Sequence, residues 1–281
     1  MGKLKNTTVV ITGGAMGIGF ATARRILADG GMVTVWDINA AALADARREL
    51  EAVSDAVFCH GCDITDEEDV RKHADIAQQE MGRVDILINN AGAVKVGRFC
   101  SRPPSDWEAL TRVNLVSMYY TIHAFLPEMY QRNSGQIINI SSGAGLTGLP
   151  DLAVYCATKW AVYGLTESLR LEGLADRKKG VVFTSVHPGI LKKGMFEGSR
   201  MNWLGELLLP RIETHDDIAK IIVNRGIKKK RHVVIKPWTL YLGPIVRGLF
   251  PDILLNKLLL LVGSARSMQR WTGRPPMDHR N

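Results

Sequence analysis

The chain has 281 residues, which fit one large domain or two small ones and suffice to bury a core without disulfide or metal staples. Hydrophobic residues make up 46% and charged residues 23%, which excludes a disordered chain, a collagen-like fibre and a coiled coil. The net charge of +8 belongs to the tail, since residues 225–281 hold 12 Lys/Arg and 2 Asp/Glu whereas residues 1–224 hold 24 and 26.

Short apolar segments alternate with helical patterns over the first 190 residues. Segments rich in Val, Ile and Thr predict buried parallel strands at residues 8–12, 32–36, 57–59, 86–89, 136–141 and 181–187. The helical patterns cover residues 17–29, 40–53, 67–81, 106–130 and 154–175, and Asp66 is placed to cap the third of them. This alternation predicts an α/β fold with a doubly wound parallel sheet, a Rossmann fold, in a single domain over residues 1–236.

A glycine-rich loop, Thr-Gly-Gly-Ala-Met-Gly-Ile-Gly, follows the first predicted strand at residues 12–19. Glycines there let the chain turn tightly and let a diphosphate approach the N-terminus of the next helix. The spacing of Gly13, Gly17 and Gly19 is G-x3-G-x-G rather than G-x-G-x-x-G. Taken alone, the loop is weak evidence for a nucleotide, and a tight turn that binds nothing is the alternative.

Asp37 ends the second predicted strand, 18 residues after Gly19. A carboxylate at this place accepts hydrogen bonds from an adenosine ribose and repels a 2′-phosphate. Positions 16 and 38, where such a phosphate would need a basic partner, hold Met16 and Ile38. The loop and Asp37 together favour NAD over NADP, and a plain helix cap is the alternative role for Asp37.

Tyr155 and Lys159 are four residues apart in a helical pattern and therefore share one helix face. Ser142 precedes Tyr155 by 13 residues, at the end of the fifth predicted strand. A nearby ammonium stabilises a phenolate and lowers its pKa from about 10. Tyr155 would then exchange a proton with a substrate oxygen that Ser142 holds by a hydrogen bond. As an isolated pair, however, Tyr-x-x-x-Lys is usually ordinary helix surface.

In combination these motifs resemble the short-chain dehydrogenase/reductase family, single-domain branch, over roughly residues 5–190. Asp63-Ile64 matches the family's acidic–apolar pair beside the adenine, and residues 89–92 match its Asn-Asn-Ala-Gly stretch. Asn114 matches its helix-kinking Asn, and Pro188-Gly189 matches its Pro-Gly turn.

The resemblance implies a catalytic set of Ser142, Tyr155, Lys159 and Asn114. In the family the Tyr transfers the proton, and the Lys binds the nicotinamide ribose and lowers the Tyr pKa. The Ser orients the substrate and the Asn holds a water of a proton relay. The implied cofactor-binding residues are Gly13, Gly17, Ile18, Gly19, Asp37, Asp63, Ile64, Asn90, Ala91, Gly92, Tyr155, Lys159, Pro188, Gly189 and Ile190.

The chain departs from the family at Lys193, where a Thr that bonds the nicotinamide carboxamide is usual. The backbone of Ile190 remains available for that contact. Cys59-His60-Gly61-Cys62 resembles half of a zinc knuckle, but no second pair lies at ligand spacing, so no metal is expected. We expect His187 to pack near the Pro-Gly turn.

Residues 190–215 correspond to the family's mobile substrate lid. Their apolar side chains predict an apolar substrate or packing against the body or a partner subunit; they are Met195, Phe196, Met201, Trp203, Leu204 and Leu207. After a basic turn at residues 228–231 and a last strand at 233–235, a helical extension begins at Pro237 and runs to residue 281. Its mixture of apolar residues with Arg247 and Lys257 suits a membrane surface, an oligomer interface or a cover over the substrate pocket.

The sequence therefore predicts an NAD(H)-dependent oxidoreductase that interconverts a secondary alcohol and a ketone or aldehyde on an apolar, steroid- or lipid-like substrate. The alternatives are a non-catalytic nucleotide-binding regulatory protein of the same fold and a dehydratase or epimerase using the same Tyr–Lys pair. We expect a homo-oligomer, a dimer or tetramer, and no nucleic-acid partner, because no reading motif accompanies the basic run. The cysteine usage and the absence of a signal-peptide pattern predict a cytoplasmic protein, with peripheral membrane contact through the extension left open.

Overall fold

Seven parallel strands form one sheet in the order β3-β2-β1-β4-β5-β6-β7 in this computed structural model, which describes residues 3–273. The strands are β1 (Thr8–Thr12), β2 (Met32–Asp37), β3 (Val57–Gly61), β4 (Ile86–Asn89), β5 (Gly135–Ile140), β6 (Val181–Pro188) and β7 (Val233–Lys236). The strand order reverses between β1 and β4, and dinucleotides bind at such a crossover at the carboxyl ends of the strands. The predicted doubly wound sheet is confirmed.

Ten α-helices lie in the described residues: α1 (Gly17–Ala28), α2 (Ala40–Glu51), α3 (Glu67–Met81), α4 (Pro104–Thr111), α5 (Ser117–Gln131), α6 (Ala153–Ala175), α7 (Trp203–Leu208), α8 (His215–Ile221), α9 (Leu242–Leu249) and α10 (Asp252–Leu261). Asp66 caps α3 as predicted, because its side chain accepts hydrogen bonds from the backbone N–H groups of Glu68 and Asp69.

The strands are apolar throughout because both faces of the sheet are covered by helices. Val9 and Ile11 of β1 pack in a core cluster with α1 and α2, whereas Val10 packs in a second cluster on the opposite face, where Phe125 of α5 lies. The alternation of side chains along a strand thus serves two cores, one on each face.

The helix expected over residues 106–130 is interrupted by a π-helical segment, Arg112–Val116, between α4 and α5. A π-helical turn holds one more residue than an α-helical turn, and such turns are frequent at functional sites. Asn114 lies inside this segment and is fully buried.

The extension follows β7 and packs over the carboxyl end of the sheet. Leu240 lies against Gly143, and Pro237 lies against Gly189, where an added Cβ would be 2.7 Å from the proline Cδ. Residues 274–281 of the predicted extension lie outside the described residues. Within residues 3–273 no helix has the length and apolar character needed to cross a bilayer.

Candidate active site

A cleft of about 560 Å³ opens at the carboxyl ends of the strands around the β1/β4 crossover. Most of the residues predicted to bind the cofactor line it: Gly13, Gly17, Ile18, Asp37, Asp63, Ile64, Asn90, Ala91, Gly92, Tyr155, Lys159, Pro188 and Gly189. Ser142 lines it as well. The tertiary fold therefore brings together groups that are up to 176 positions apart in the sequence.

The glycine-rich loop requires glycine for two different reasons. Gly13 has a φ of +61°, and a Cβ there would lie 2.7 Å from the Cα of Ala91. Gly19 does not line the cleft; a Cβ there would lie 2.4 Å from the carbonyl oxygen of Gly13, so it lets α1 pack against the loop. Asn90 fixes the loop by donating hydrogen bonds to the carbonyl oxygens of Thr12 and Gly13 at 3.0 and 2.8 Å.

The N-terminus of α1 faces this cleft with the positive end of its dipole. The Met16 side chain makes no capping hydrogen bond to the helix, and the first turn of the helix contains no acidic residue. Gly17 and Ile18 of that turn line the cleft. The glycine cradle and the N-terminus of α1 suit an anionic diphosphate, so the residues present fit a dinucleotide cofactor.

Asp37 lines the cleft at the end of β2. Its carboxylate accepts hydrogen bonds from the N–H groups of Ala15 at 3.2 Å and Asn39 at 3.0 Å, one on each oxygen. It does not cap α2, because the cap is Asn39, whose side chain accepts from Ala42 N–H. Each carboxylate oxygen of Asp37 keeps acceptor capacity for a further donor.

Asp63 and Ile64 line the cleft beside the end of β3. The side chain of Asp63 accepts hydrogen bonds from the backbone N–H and the hydroxyl of Thr65 at 2.9 and 2.7 Å. Its own backbone N–H donates to Asp69 at 2.7 Å. The turn that follows β3 is therefore held by its own polar groups.

Tyr155 and Lys159 project from α6 into the same cleft and are both buried. The Lys159 Nζ donates a hydrogen bond to the carbonyl oxygen of Ile140 at 2.9 Å and lies 5.8 Å from the centre of the Tyr155 ring. Burial lowers the pKa of Lys159 to about 8. Burial also raises the pKa of Tyr155, an effect that a hydrogen bond with Ser142 partly opposes.

The raised pKa of Tyr155 differs from the lowered value expected from the sequence. Both side chains lie in a region of low dielectric, which disfavours the phenolate and the ammonium alike. A sequence pattern gives the spacing of the two groups, but it does not give the desolvation that dominates their ionisation. Because its pKa is raised, Tyr155 keeps its hydroxyl proton at neutral pH.

Asn114 lies behind the cleft rather than in its lining. Its side chain accepts a hydrogen bond from Ala93 N–H at 2.8 Å and donates to the carbonyl oxygen of Ala93 at 3.0 Å and the hydroxyl of Thr158 at 3.2 Å. An added Cβ on Gly92 would lie 3.3 Å from the Asn114 Oδ1 and 3.5 Å from the Lys159 Nζ. Asn114 thus positions the strand-end loop beside Lys159.

A second, apolar cavity of about 60 Å³ adjoins the cleft, and Ser142 and Gly189 line both. We call it the apolar chamber. Its walls come from the body, the lid and the extension: Leu149, Leu152, Met201, Leu240, Leu259 and Met268 are among them. Ile190 lines this chamber and not the cofactor cleft.

The lid residues divide into two groups. The Phe196 ring packs edge-to-face on Tyr155 with 5.5 Å between ring centres, and Met195 lines the cleft. Trp203 and Leu207 are instead exposed to solvent. The apolar lid pattern therefore includes side chains that line the cleft and side chains on the outer surface.

Sequence reasoning missed several lining residues. His215 of α8 lines the cofactor cleft, and Leu240 and Met268 line the apolar chamber. No local pattern marks these three residues, because only the folding of the lid and the extension brings them to the site. Lys193, noted as a departure from the family, lines the cofactor cleft.

His187 contacts the backbone of the site at Ser142. Its Nδ1 lies 3.1 Å from the carbonyl oxygen of Ser142 and its Nε2 lies 3.1 Å from the Ser185 hydroxyl. Burial lowers its pKa to about 4, so the ring is neutral at physiological pH. His187 packs beside the Pro188-Gly189 turn and holds the Ser142 segment.

Cys59 and Cys62 are buried, free thiols, and burial raises the pKa of both. Possible ligand atoms of Cys62, Asp69 and His73 lie within 4.8 Å of one another. The His73 Nδ1 lies 2.8 Å from the carbonyl oxygen of Asp69, and an Asp69 carboxylate oxygen accepts from Asp63 N–H. These polar atoms thus have partners within the protein.

The chain was compared with known proteins. A family model described as short chain dehydrogenase matches residues 7–202. The bovine (Bos taurus) short-chain dehydrogenase/reductase family 16C member 6 is 37% identical over 237 residues, covering 83% of this chain and 74% of the relative. The human epidermal retinol dehydrogenase 2 is 34% identical, covering 86% of this chain and 78% of the relative.

A solved structure of a metagenomic short-chain oxidoreductase in complex with NADP is similar to this one, with a TM-score of 0.69 and 30% sequence identity. The match covers 83% of this chain and 97% of that chain. The sheet topology, the loop and cleft geometry and these matches lead to one conclusion: the chain belongs to the short-chain dehydrogenase family.

Proposed function

We propose that this protein is an NAD(H)-dependent oxidoreductase that interconverts a secondary alcohol and the corresponding ketone or aldehyde on an apolar, lipid-like substrate such as a steroid or retinoid. The observation that carries the proposal is the position of Ser142. Ser142 lines both the cofactor cleft and the apolar chamber, and Tyr155 lies within hydrogen-bond reach of it.

The roles of the side chains follow from this junction. In the reducing direction the Tyr155 hydroxyl donates its proton to the carbonyl oxygen, and in the oxidising direction it takes the proton back. Ser142 holds the same oxygen by a hydrogen bond. Lys159 keeps two ammonium protons beyond the one donated to Ile140, and these can stabilise the phenolate. The bound nicotinamide supplies or accepts the hydride.

The choice of NAD rests on Asp37. Its carboxylate lines the cleft, where it would accept hydrogen bonds from the hydroxyl groups of an adenosine ribose and would repel a 2′-phosphate. A direct comparison of NADH and NADPH binding tests this choice, since the similar structure at 30% identity contains NADP.

The apolar substrate class rests on the chamber. Within the described residues, its lining contains no charged side chain and includes Leu149, Leu152, Leu240, Leu259 and Met268. The human relative that is named for retinol also supports this class. The open volume of about 60 Å³ holds only a few carbon atoms, so a lipid-like substrate must push the lid and the extension apart.

A turnover screen tests the proposal. Purified protein is incubated with hydroxysteroids, retinol and medium-chain secondary alcohols, each with NAD and with NADP, and absorbance at the reduced nicotinamide band is followed. We expect turnover of at least one apolar alcohol with NAD, abolished in Tyr155→Phe. Cofactor binding without turnover of any substrate in either direction would favour the regulatory nucleotide-binding alternative.

A further inference from the structure

Helices α9 and α10 present apolar side chains that the described part of the chain does not cover. No residue of α9 is buried, and Leu255 is the single buried residue of α10. Among residues 3–273, fourteen of the twenty-one exposed large apolar side chains lie in α7 or between residues 238 and 261. Soluble monomers rarely leave so much contiguous apolar surface in water, and such patches mark interaction sites.

The exposed residues form one continuous surface. The side-chain N–H of Asn202, which caps α7, donates to the carbonyl oxygen of Leu261 at the end of α10 at 2.7 Å. A Cβ on Gly205 of α7 would lie 2.4 Å from the carbonyl oxygen of Val262. We call this surface the docking face and define it by its most exposed side chains: Trp203, Leu207, Trp238, Leu249, Ile253 and Leu261.

In α9 the charged side chain faces the protein and apolar side chains face outward, which is the reverse of the usual arrangement in a surface helix. Its one charged residue, Arg247, points into the body, where the guanidinium lies 4.7 Å from the centre of the Trp160 ring and donates to the carbonyl oxygen of Leu146 at 3.1 Å. Leu249 on the same helix is 73% exposed. This arrangement fixes the extension on the protein and turns its apolar side chains outward, which suits an apolar environment on that side.

The charge around the docking face is positive. Residues 237–273 contain four basic residues and one acidic residue. The acidic one, Asp252, accepts a hydrogen bond from Arg247 at 3.2 Å. Lys257, Arg266 and Arg270 are exposed. An apolar surface with exposed basic side chains is complementary to an anionic lipid surface, which attracts each cation near it.

The basic turn at residues 228–231 does not belong to this face. It precedes β7 and therefore lies at the amino end of the sheet, where the Lys228 Nζ is 2.6 Å from an Asp29 carboxylate oxygen. The extension follows β7 at the carboxyl end, about 13 Å of strand away. The exposed basic residues of the extension itself, Lys257, Arg266 and Arg270, thus supply the attraction.

The docking face also forms a wall of the apolar chamber. Leu259 of α10 lines the chamber, whereas its neighbours Leu258 and Leu260 are exposed on the outside. Leu240 lines it from the turn between Trp238 and Tyr241. One layer of helix therefore separates Ser142 and its chamber from whatever covers the docking face.

We infer that the docking face binds an anionic lipid bilayer and that the apolar chamber takes its substrate directly from that bilayer. The binding step is independent of catalysis. The delivery step rests on the proposed function, since it needs a membrane-dissolved alcohol or ketone as substrate.

Sedimentation with vesicles tests the binding step. Full-length protein is mixed with vesicles of equal parts phosphatidylcholine and phosphatidylserine, or of phosphatidylcholine alone, at low and at high salt. We expect pelleting with the anionic vesicles at low salt and release at high salt. Leu249→Glu should weaken binding at least tenfold, and Lys257→Ala about fivefold, the loss expected for one cation near an anionic surface.

Leu171→Glu is the matched control, because Leu171 is also an exposed leucine but lies sixteen residues after Tyr155 on α6, about 24 Å along the helix. It should pellet like the wild type. Wild-type protein that stays in the supernatant at low salt, or a Leu249→Glu variant that pellets fully, overturns the inference. A vesicle-free dimer that Leu249→Glu dissociates, with no pelleting of either protein, would make the face a subunit interface and would also overturn it.

A rate comparison tests the delivery step. With NAD, the wild type and Leu249→Glu are assayed on a short water-soluble secondary alcohol and on a long-chain secondary alcohol dissolved in the anionic vesicles. We expect equal rates on the soluble alcohol and an at least tenfold lower rate of the variant on the vesicle-borne one. Equal rates on both overturn delivery from the bilayer. No wild-type turnover of either alcohol contradicts the proposed function, whereas the sedimentation result still decides docking.

Discussion

The ammonium of Lys159 lies 5.8 Å from the centre of the Tyr155 ring and donates its observed hydrogen bond to the carbonyl oxygen of Ile140. Both residues are buried on one face of α6. Burial shifts the two pKa values apart, because it raises that of Tyr155 and lowers that of Lys159 to about 8. As the pH rises, the Lys159 ammonium therefore loses its proton before the Tyr155 hydroxyl does.

Replacement of Tyr155 by Phe removes the hydroxyl and keeps the ring that packs on Phe196. Because the proton then has no donor or acceptor, we expect turnover to fall by about 10²–10⁴ or more. Cofactor affinity, measured by fluorescence titration with NADH, and the unfolding midpoint should stay near those of the wild type. A Phe variant that retains a near-native rate would show that another group transfers the proton.

The carboxylate of Asp37 should set the preference for NADH over NADPH. We expect the wild type to bind NADH more tightly, by about ten- to a hundredfold if the charge-assisted hydrogen bonds form. Asp37→Ala should reduce the ratio of the affinity for NADH to the affinity for NADPH. Asp37→Asn is the closest variant in shape: its amide oxygen can still accept from Ala15 or from Asn39, whereas its NH2 group cannot accept from the other, and the charge is gone. Equal affinities of the two cofactors in the wild type would contradict the prediction.

The lowered pKa of Lys159 predicts a pH-dependent stability of the ligand-free protein. Between pH 8 and the model-peptide value of 10.5, the unfolded chain binds more protons at this residue than the folded chain does. The free energy of unfolding contributed by this residue therefore rises with pH across that window and is lowest below it.

Urea unfolding at a series of pH values checks this, with Lys159→Met as the reference because it keeps a similar volume without a charge. The free energy of unfolding of the wild type minus that of the variant should increase from pH 8 to 10.5. A difference that is flat over this window would mean that the buried amine keeps its ordinary pKa.

Leu240 should set the preference for apolar substrates, since it lines the chamber and lies against Gly143. Leu240→Ala removes apolar contact from the chamber, so we expect kcat/KM for a long apolar alcohol to fall by about tenfold or more. The rate on a small secondary alcohol should change much less. Leu171→Ala, on the far part of α6, serves as the control, and equal losses on both substrates would point to a general structural effect.

The sequence by itself determined the parallel sheet, because near-continuous runs of Val, Ile and Thr separated by helical patterns can be buried only between two helical layers. It also determined the cap at Asp66, the cradle at Gly13 and the common face of Tyr155 and Lys159. All of these depend on residues within a few positions of one another or on the fixed periods of helix and strand.

Only the tertiary structure decided the ionisation of Tyr155, the placement of Asn114 behind Gly92 and the composition of the apolar chamber. Burial from every side sets the pKa of Tyr155, and the spacing of two residues on a helix does not contain that information. Likewise, Leu240 and Met268 reach Ser142 only because the extension folds back over the carboxyl end of the sheet. The direction of α9, with Arg247 inward and Leu249 outward, follows from a contact with Trp160, 87 positions earlier in the chain.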